Sequence, residues 1–263
     1  MPIGPARMPI LDHLGELRRR LLIILVCVFG TALVMYAATP TIIDFLLDPI
    51  KEYLPNEGKL TVLTALGGFT MRFKVSIFAG VVICTPIIVW EIMAFVLPAL
   101  TPEERVWVVP TVIALVVLFF LGMAFCYFVA QRAAFGWLLD QAKDFAVVMP
   151  TAEDYLHIIM LLLIGFGVAF ELPLAIFYLA ILHVVPYKKF RQDWRYVYVA
   201  IMVISAMVTP DASPITMVLM FAAMIALYEI ALLVARFVIS ARDGKEALEW
   251  DRDDYEAHEL EQE

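Results

Sequence analysis

The chain has 263 residues, of which 63% are hydrophobic and 17% charged, with a formal net charge of −8 and a mean hydropathy of +0.86. Soluble globular domains are about half apolar and about a quarter charged, so this composition excludes that class. The apolar residues fall in runs of roughly twenty, the length that crosses about 30 Å of hydrocarbon as a helix. We therefore predict an all-α integral membrane protein.

Six apolar segments alternate with the charged ones, and we predict a transmembrane helix for each. They are Leu21–Ile43, Val75–Leu97, Val106–Val129, Tyr155–Val185, Tyr196–Val208 and Ile215–Ile239. The first is longer than the apolar region of a signal peptide and lacks a cleavage site, so it is expected to be retained. The predicted domains are an N-terminal cytoplasmic segment (1–20), a six-helix transmembrane domain (21–239) and an acidic cytoplasmic tail (240–263).

Lysine and arginine set the predicted orientation, because basic loops resist translocation. One set of alternate segments holds thirteen basic residues and the other six. The larger set includes both termini, which places both in the cytoplasm. The tail differs in charge: from Arg242 onward it has ten acidic and three basic residues, −7 of the net −8. We predict that this tail is solvated and disordered.

The fifth and sixth segments are predicted to be short. Fourteen residues lie between Arg195 and Pro210, and fourteen more between Pro214 and Glu229. At 1.5 Å per residue each stretch is about 21 Å long, less than a typical hydrocarbon core. For the sixth segment one alternative stays open, a single helix that continues past Glu229 with the carboxylate turned inward.

The sequence contains none of the enzyme signatures that we sought. It has no P-loop, no nucleophile motif and no second histidine for the His258-Glu259 pair. Cys27, Cys84 and Cys126 each lie in an apolar run without a CxxC spacing, which predicts neither a disulfide framework nor a metal site. We therefore expect a protein that is not an enzyme and has no cofactor.

Two acidic residues lie within predicted spans. Glu171 is in the middle third of the fourth span, where an ionised carboxylate is costly and faces a polar interior or a functional path. The alternative for Glu171 is a protonated, purely structural side chain. Glu91 lies near the cytoplasmic end of the second span, and a functional and a structural role are equally open for it.

Two more acidic residues have local structural explanations. Thr101 as N-cap, Pro102 at the first helical position and Glu104 three residues after the cap form a capping box. Glu16 stands four residues before Arg20, the favourable order for a helical ion pair. From local physics alone, both residues are structural.

Four motifs in order carry a family resemblance: HLGELRRRLL before the first span, AFVLPALTPEER after the second, FELP within the fourth and TPD before the sixth. Over about Asp12 to Arg236 the chain resembles the TatC family, receptor subunits of the twin-arginine protein translocase. The resemblance implies a glove-like, concave arrangement of six helices, a multi-pass location in the bacterial cytoplasmic (inner) membrane, and transport driven by the proton gradient.

The resemblance also implies a site for the Arg-Arg motif of signal peptides on folded export substrates. By motif, its carboxylates are Glu16 and Glu104, which gives Glu104 a role beyond capping. Phe95 matches a position in the same region, and Arg18 and Arg105, which follow the two carboxylates in their motifs, are also predicted to bind the signal peptide. Glu171 matches the glutamate on the concave membrane face of the family fold.

The implied partners are single-span TatA- and TatB-type proteins, which dock along spans five and six. The residues available there are Met207, Thr209, Asp211, Ser213 and Thr216. Self-association in a multimeric complex and contact with the lipid bilayer are also implied, and no nucleic acid is expected.

A different class of function competes with the receptor. In that alternative the chain is a small proton-coupled secondary transporter that uses Glu171 and Glu91 as a relay. Such a carrier needs a continuous polar path and usually an inverted repeat, neither of which the sequence displays. An intramembrane protease is disfavoured, because no nucleophile pair or metal triad is present.

Overall fold

A computed structural model of the chain describes residues 10–54, 60–97, 104–143, 151–181, 185–209, 213–242, 244 and 246–250. Within these ranges the regular structure is helical, apart from one parallel bridge between Thr61 and Thr151. The predicted all-α class is therefore confirmed.

The described part of the chain contains ten α-helices. They are α1 (Ile10–Met35), α2 (Thr39–Leu47), α3 (Gly67–Val96), α4 (Val108–Phe125), α5 (Gln131–Ala142), α6 (Ala152–Ala169), α7 (Leu172–Ile181), α8 (Tyr187–Gln192), α9 (Trp194–Val208) and α10 (Pro214–Arg242). A π-helical turn, Cys126–Ala130, joins α4 to α5, and 3-10 turns occur at Asp48–Tyr53, Glu104–Trp107 and Glu246–Glu249.

Among the described residues, four helical segments are long and apolar enough to cross a membrane. They are Gly67–Val96, Val108–Gln141, Ala152–Ile181 and Pro214–Arg242. A fifth crossing exists if the bent pair His13–Met35 and Thr39–Tyr53 counts as one span. The short fifth segment is confirmed, because α9 has only 15 residues and is about 22 Å long.

The first helix differs from the predicted span Leu21–Ile43. It begins at Ile10 and ends at Met35, and the chain then turns by 89° into the second segment. Pro40 lies in the first turn of α2, where its missing N–H costs nothing, whereas inside a continuous α1 it would break the hydrogen-bond ladder. The apolar run therefore forms two helices.

The fourth predicted span, Tyr155–Val185, is interrupted. Helix α6 ends at Ala169, a turn follows at Phe170 and Glu171, and α7 begins at Leu172. Pro173 explains the break, because it cannot donate to the carbonyl of Ala169 and its ring crowds that carbonyl.

The prediction of a short sixth helix is wrong. Helix α10 continues through Glu229 and ends at Arg242, giving 29 residues. Of the open alternative, the single long helix is observed, whereas the Glu229 side chain is 35% exposed and not fully turned inward. Glu229 does not end the apolar helix because other side chains satisfy its carboxylate, as described below.

The chain divides into two compact units. The first, Met1–Phe120 with Ala142–Met160, is built around the packing of α1 against α3. Gly80 makes this packing close: a Cβ placed there would lie 2.7 Å from the carbonyl oxygen of Val28. One turn along, the Thr31 hydroxyl lies 3.2 Å from Cys84 Sγ. Small residues let the two backbones approach, as is common between membrane helices.

The second unit, Leu121–Gln141 with Leu161–Glu263, is organised by α10. One stripe of α10, spaced by three or four residues, is buried: Thr216, Met220, Met224, Tyr228, Leu232, Ala235 and Ile239. Helices α7 and α9 pack on α10. Gly122 allows a second close approach, because a Cβ there would lie 2.5 Å from the carbonyl oxygen of Phe166.

Large apolar side chains are exposed on the outer faces of these helices. Leu33, Phe128 and Phe237 are among the most exposed. Exposed apolar side chains in such numbers are typical of a surface that contacts a membrane or another protein, and these three lie on the candidate spans and the bent pair described above.

The tail, predicted to be solvated and disordered from residue 240, begins as ordered structure. Helix α10 runs on to Arg242, and Gly244 follows in the left-handed region at φ 89°, which favours glycine. The 3-10 turn Glu246–Glu249 then packs against α10 and α8 with Ala247 fully buried. Residues 251–263 lie outside the described part of the chain.

Candidate functional site

A charged cluster joins α1 to α3 in the first unit. The Arg20 guanidinium donates to Glu16 Oε1 from Nε at 3.1 Å and from Nη2 at 2.6 Å. Its Nη1 donates to Glu91 Oε2 at 2.9 Å. The structure therefore gives Glu91 an ionic partner, Arg20. From the sequence, Arg20 was assigned only to Glu16.

The helix geometry explains this arrangement. Glu16 and Arg20 stand one turn apart on α1, so their side chains share a face. The close packing of α1 on α3 brings Glu91 to the same face, although it is 71 residues from Arg20 in sequence. No local pattern could have revealed that contact, because it depends on the register of two packed helices.

The cluster is partly withdrawn from solvent and carries a net negative charge. The relative exposures of the Arg20, Glu16 and Glu91 side chains are 22%, 23% and 13%. Two carboxylates face one guanidinium, which leaves a charge of −1. Glu16 Oε2 is buried and receives no hydrogen bond from the described residues. A buried carboxylate oxygen without a donor is costly, and a ligand donor would remove that cost.

An aromatic pair lies next to this cluster along both helices. The rings of His13 and Phe95 stack with centroids 4.3 Å apart and an interplanar angle of 20°. His13 is three residues before Glu16 on α1, and Phe95 is four residues after Glu91 on α3. Of the predicted signal-peptide residues, the structure thus brings Phe95 and Glu16 to the same pair of helices.

The remaining residues of the predicted binding site are less fully described. Glu104 begins the 3-10 turn Glu104–Trp107, and its predicted capping partners Thr101 and Pro102 lie outside the described residues. Arg18 on α1 and Arg105 in that turn are both exposed.

Glu171 occupies the break between α6 and α7 in the second unit. Its backbone N–H donates to the Val168 carbonyl, and its own carbonyl accepts from Leu174 and Ala175. The side chain is half-buried, and the hydrogen bonds and ion pairs found among the described residues include none to its carboxylate. The carboxylate is thus an unpaired acid within a segment of membrane-spanning length.

The residues predicted to dock partner helices are mostly inward-facing. Thr209 donates to the Ser205 carbonyl at 2.9 Å, and the hydroxyls of Ser213 and Thr216 bond each other at 2.5 Å. All three are buried, whereas Met207 is 80% exposed. Asp211 lies outside the described residues. Among the four described residues of this set, Met207 is the one whose side chain is accessible, and the docking role of all five stays a prediction.

A second polar network was not anticipated from the sequence. Arg191 Nη1 donates to Glu229 Oε2 at 2.8 Å, and the Tyr198 hydroxyl donates to Glu229 Oε1 at 3.0 Å. Arg191 Nε also donates to the Tyr187 hydroxyl at 3.3 Å. The hydrogen bond with Tyr187 raises the pKa of the Arg191 guanidinium most, and the pairing with Glu229 also raises it. The one signal in the sequence was a lone acid in an apolar run, because its partners lie 38 and 31 residues away.

Within the described ranges, no group of three histidine, cysteine or acidic side chains is placed to hold a metal ion. The three cysteines have free thiols, and two of them are buried.

Known proteins resemble the chain over most of its length. A sequence model of the family described as Sec-independent protein translocase protein (TatC) matches residues 12–222. The TatC protein of Escherichia coli (strain K12) is 30% identical over 238 residues, covering 90% of this chain and 92% of that protein. The chloroplastic TATC protein of Pisum sativum is 35% identical over 222 residues, covering 84% of this chain and 62% of that protein.

Solved structures agree with these relatives. A crystal structure described as the twin arginine translocase receptor TatC matches with a TM-score of 0.69 at 27% identity, covering 86% of this chain and 98% of that one. A second, described as the same receptor in DDM, matches with a TM-score of 0.70 at 28% identity, covering 85% and 99%. The family model spans well over half of the sequence and the fold agrees with it: the chain belongs to the TatC family of Sec-independent protein translocase proteins.

Proposed function

We propose that this chain is the receptor of a twin-arginine translocase and binds the Arg-Arg motif of signal peptides on folded proteins. One observation carries the proposal: Glu16 presents a buried carboxylate oxygen without a donor, inside a cluster of net charge −1. Solved relatives are described as twin-arginine translocase receptors, which is consistent with this assignment.

The chemistry of the cluster suits a guanidinium ligand. Arginine presents several N–H donors in a planar fork and stays charged, whereas lysine is a single point charge. In the proposed complex one arginine of the peptide donates to Glu16 Oε2 and the other to Glu104. Phe95, stacked on His13, gives the apolar part of the peptide a surface beside the charges. Arg18 and Arg105 belong to the same site in this proposal.

The membrane arrangement is part of the proposal. Six spans, with α9 as the short fifth, place residues 1–20 and the tail from 240 in the cytoplasm, as the basic residues indicate. The proposed location of these helices is the bacterial inner membrane. A span as short as α9 must thin the bilayer locally or pair with neighbours.

The proposed partners are single-span TatA- and TatB-type proteins and further copies of this chain. Met207, exposed on α9, is the proposed first contact for a partner helix, because methionine adapts to varied apolar surfaces. Thr209, Ser213 and Thr216 would join the contact only if their internal hydrogen bonds opened. The proton gradient drives transport in this proposal.

The proton-coupled transporter is not favoured. That alternative needs Glu91 as a relay carboxylate, but Glu91 is bound to Arg20 at 2.9 Å. The comparisons point to a translocase family, and no observation on the described residues supports a carrier.

Site-specific photo-crosslinking tests the receptor assignment. A photoreactive residue at position 104 of the full chain in membranes should crosslink to a twin-arginine signal peptide and not to its twin-lysine version. Glu16→Gln and Glu104→Gln should each abolish export and lower peptide binding. Glu153→Gln, which removes a carboxylate paired with Lys74 on an exposed surface, is the matched control. Unchanged binding in both glutamate variants would refute the assignment.

A further inference from the structure

We propose that Glu91 is a positioning residue for signal-peptide binding: by holding Arg20, it keeps one oxygen of Glu16 without an internal donor, so that this oxygen can accept from the arginine of the ligand. This inference rests on the proposed function and goes beyond it, because Glu91 and Arg20 then set the occupancy of the site without touching the ligand.

The hydrogen bonds of Arg20 support this role. Two of its nitrogens, Nε and Nη2, donate to the same oxygen of Glu16, Oε1. An unconstrained arginine and carboxylate favour the bidentate arrangement, in which two parallel N–H groups each meet a different oxygen. The observed geometry departs from that arrangement and leaves Glu16 Oε2 buried without a donor.

Glu91 accounts for the departure. It accepts from Nη1, the third nitrogen of Arg20, at 2.9 Å from a side chain on a different helix. Because the guanidinium is planar and rigid and its other end is attached to the arginine side chain, holding Nη1 on α3 restricts the directions in which Nε and Nη2 can point. Glu91 is also the most buried of the three side chains, so the position of its carboxylate is set by packing as well as by charge.

Loss of Glu91 should therefore remove the free acceptor that the ligand needs. Without its third contact, Arg20 is free to turn and pair with both oxygens of Glu16. The cluster then becomes neutral, and its open acceptor disappears. The incoming guanidinium competes with Arg20 for Glu16. The hydrogen bond from Arg20 to Glu91 shifts that competition in favour of the ligand.

A double-mutant cycle separates this mechanism from a structural role. The full-length detergent-solubilised protein is titrated with a fluorescent twin-arginine signal peptide, and its thermal stability is recorded in parallel. Glu91→Leu should lower affinity about tenfold, a typical coupling between contacting charged residues. Glu91→Gln keeps an acceptor for Nη1, so it should lose less.

The second arm of the cycle changes Arg20. Lysine at this position cannot pair with both oxygens of Glu16 through a planar fork. In an Arg20→Lys background, Glu91→Leu should therefore change affinity less than about twofold, a deviation from additivity that defines coupling. Arg20→Leu gives the same test by removing the competitor.

The outcomes are distinguishable. An equal loss from Glu91→Leu in the wild-type and Arg20→Lys backgrounds would overturn the inference, and so would a loss that follows thermal stability across all variants. Glu16→Gln is measured beside them: if it left binding unchanged, the receptor site itself would be wrong. Strong loss in Glu16→Gln with additive Glu91 and Arg20 effects would reject only the positioning role.

Discussion

Arg191 on a connecting segment and Glu229 in the middle of α10 form an ion pair, with Arg191 Nη1 2.8 Å from Glu229 Oε2. The Tyr198 hydroxyl satisfies the second carboxylate oxygen. With both oxygens bonded, the charge does not end the helix, and α10 extends 13 residues beyond Glu229 to Arg242. Through Arg191 and Tyr198, the Glu229 carboxylate thus links α8 and α9 to α10, the longest helix of the second unit.

Breaking this network should weaken the second unit modestly. Arg191 and Glu229 are 41% and 35% exposed, so solvent screening limits the pair to about 0.5–1 kcal/mol. We expect Glu229→Leu to lower thermal stability in detergent by about that amount, because Arg191 and Tyr198 lose their acceptor. The swapped pair Arg191→Glu with Glu229→Arg should recover part of it. Glu153→Leu, which breaks a more exposed pair, should have a smaller effect; equal losses would contradict the prediction.

The ordered start of the tail makes two truncations informative. Removal of residues 251–263 should leave export and thermal stability unchanged. Removal of 243–263 should lower stability, because it deletes the 3-10 turn Glu246–Glu249 with its fully buried Ala247. Thermal unfolding and export of a twin-arginine reporter measure both. Loss of export in the shorter truncation would show that the acidic tail has a functional role.

Composition and pattern predicted the class, the family and the short α9, because long apolar runs and short-range motifs reflect properties of single helices. The Glu16–Arg20 pair was also within reach, since residues four apart on a helix are neighbours. These features need no knowledge of tertiary packing.

Tertiary contacts account for what the sequence left open. Glu91 has no local partner, and its link to Arg20 depends on the register of α1 against α3. From the sequence, Glu229 was a possible end of the apolar helix, because its partners Arg191 and Tyr198 lie 38 and 31 residues away. An isolated acid in an apolar run shows only that a partner or a function exists, not which one.

The packing that sets this register rests on Gly80. A Cβ there would lie 2.7 Å from the Val28 carbonyl oxygen and 3.2 Å from Ala32, so the helices would have to separate. We expect Gly80→Ala to cost about 1–3 kcal/mol of stability and to weaken signal-peptide binding by shifting Glu91 away from Arg20. In Gly30→Ala the new Cβ meets nothing within 4 Å, so this control should be neutral or slightly stabilising. Equal stabilities for the two variants would contradict the argument.

Glu171 should show opposite effects on stability and function. Its side chain is half-buried at the α6–α7 break, and among the described residues its carboxylate is unpaired. Replacing a costly acid by a similar-sized apolar side chain should stabilise the fold, so Glu171→Leu is expected to raise the free energy of unfolding by about 1–3 kcal/mol.

The same substitution should reduce export, because an unpaired acid in a segment of membrane-spanning length is expected to serve a partner or a polar path. Export of a twin-arginine reporter and crosslinking to TatA- and TatB-type partner helices measure the loss, and Glu171→Gln, which keeps a hydrogen-bonding group, should retain more of both. If Glu171→Leu were more stable and also exported and crosslinked normally, the carboxylate would have no function in transport. If it were less stable, the side chain would have a structural partner, and the functional reading would lose its physical basis.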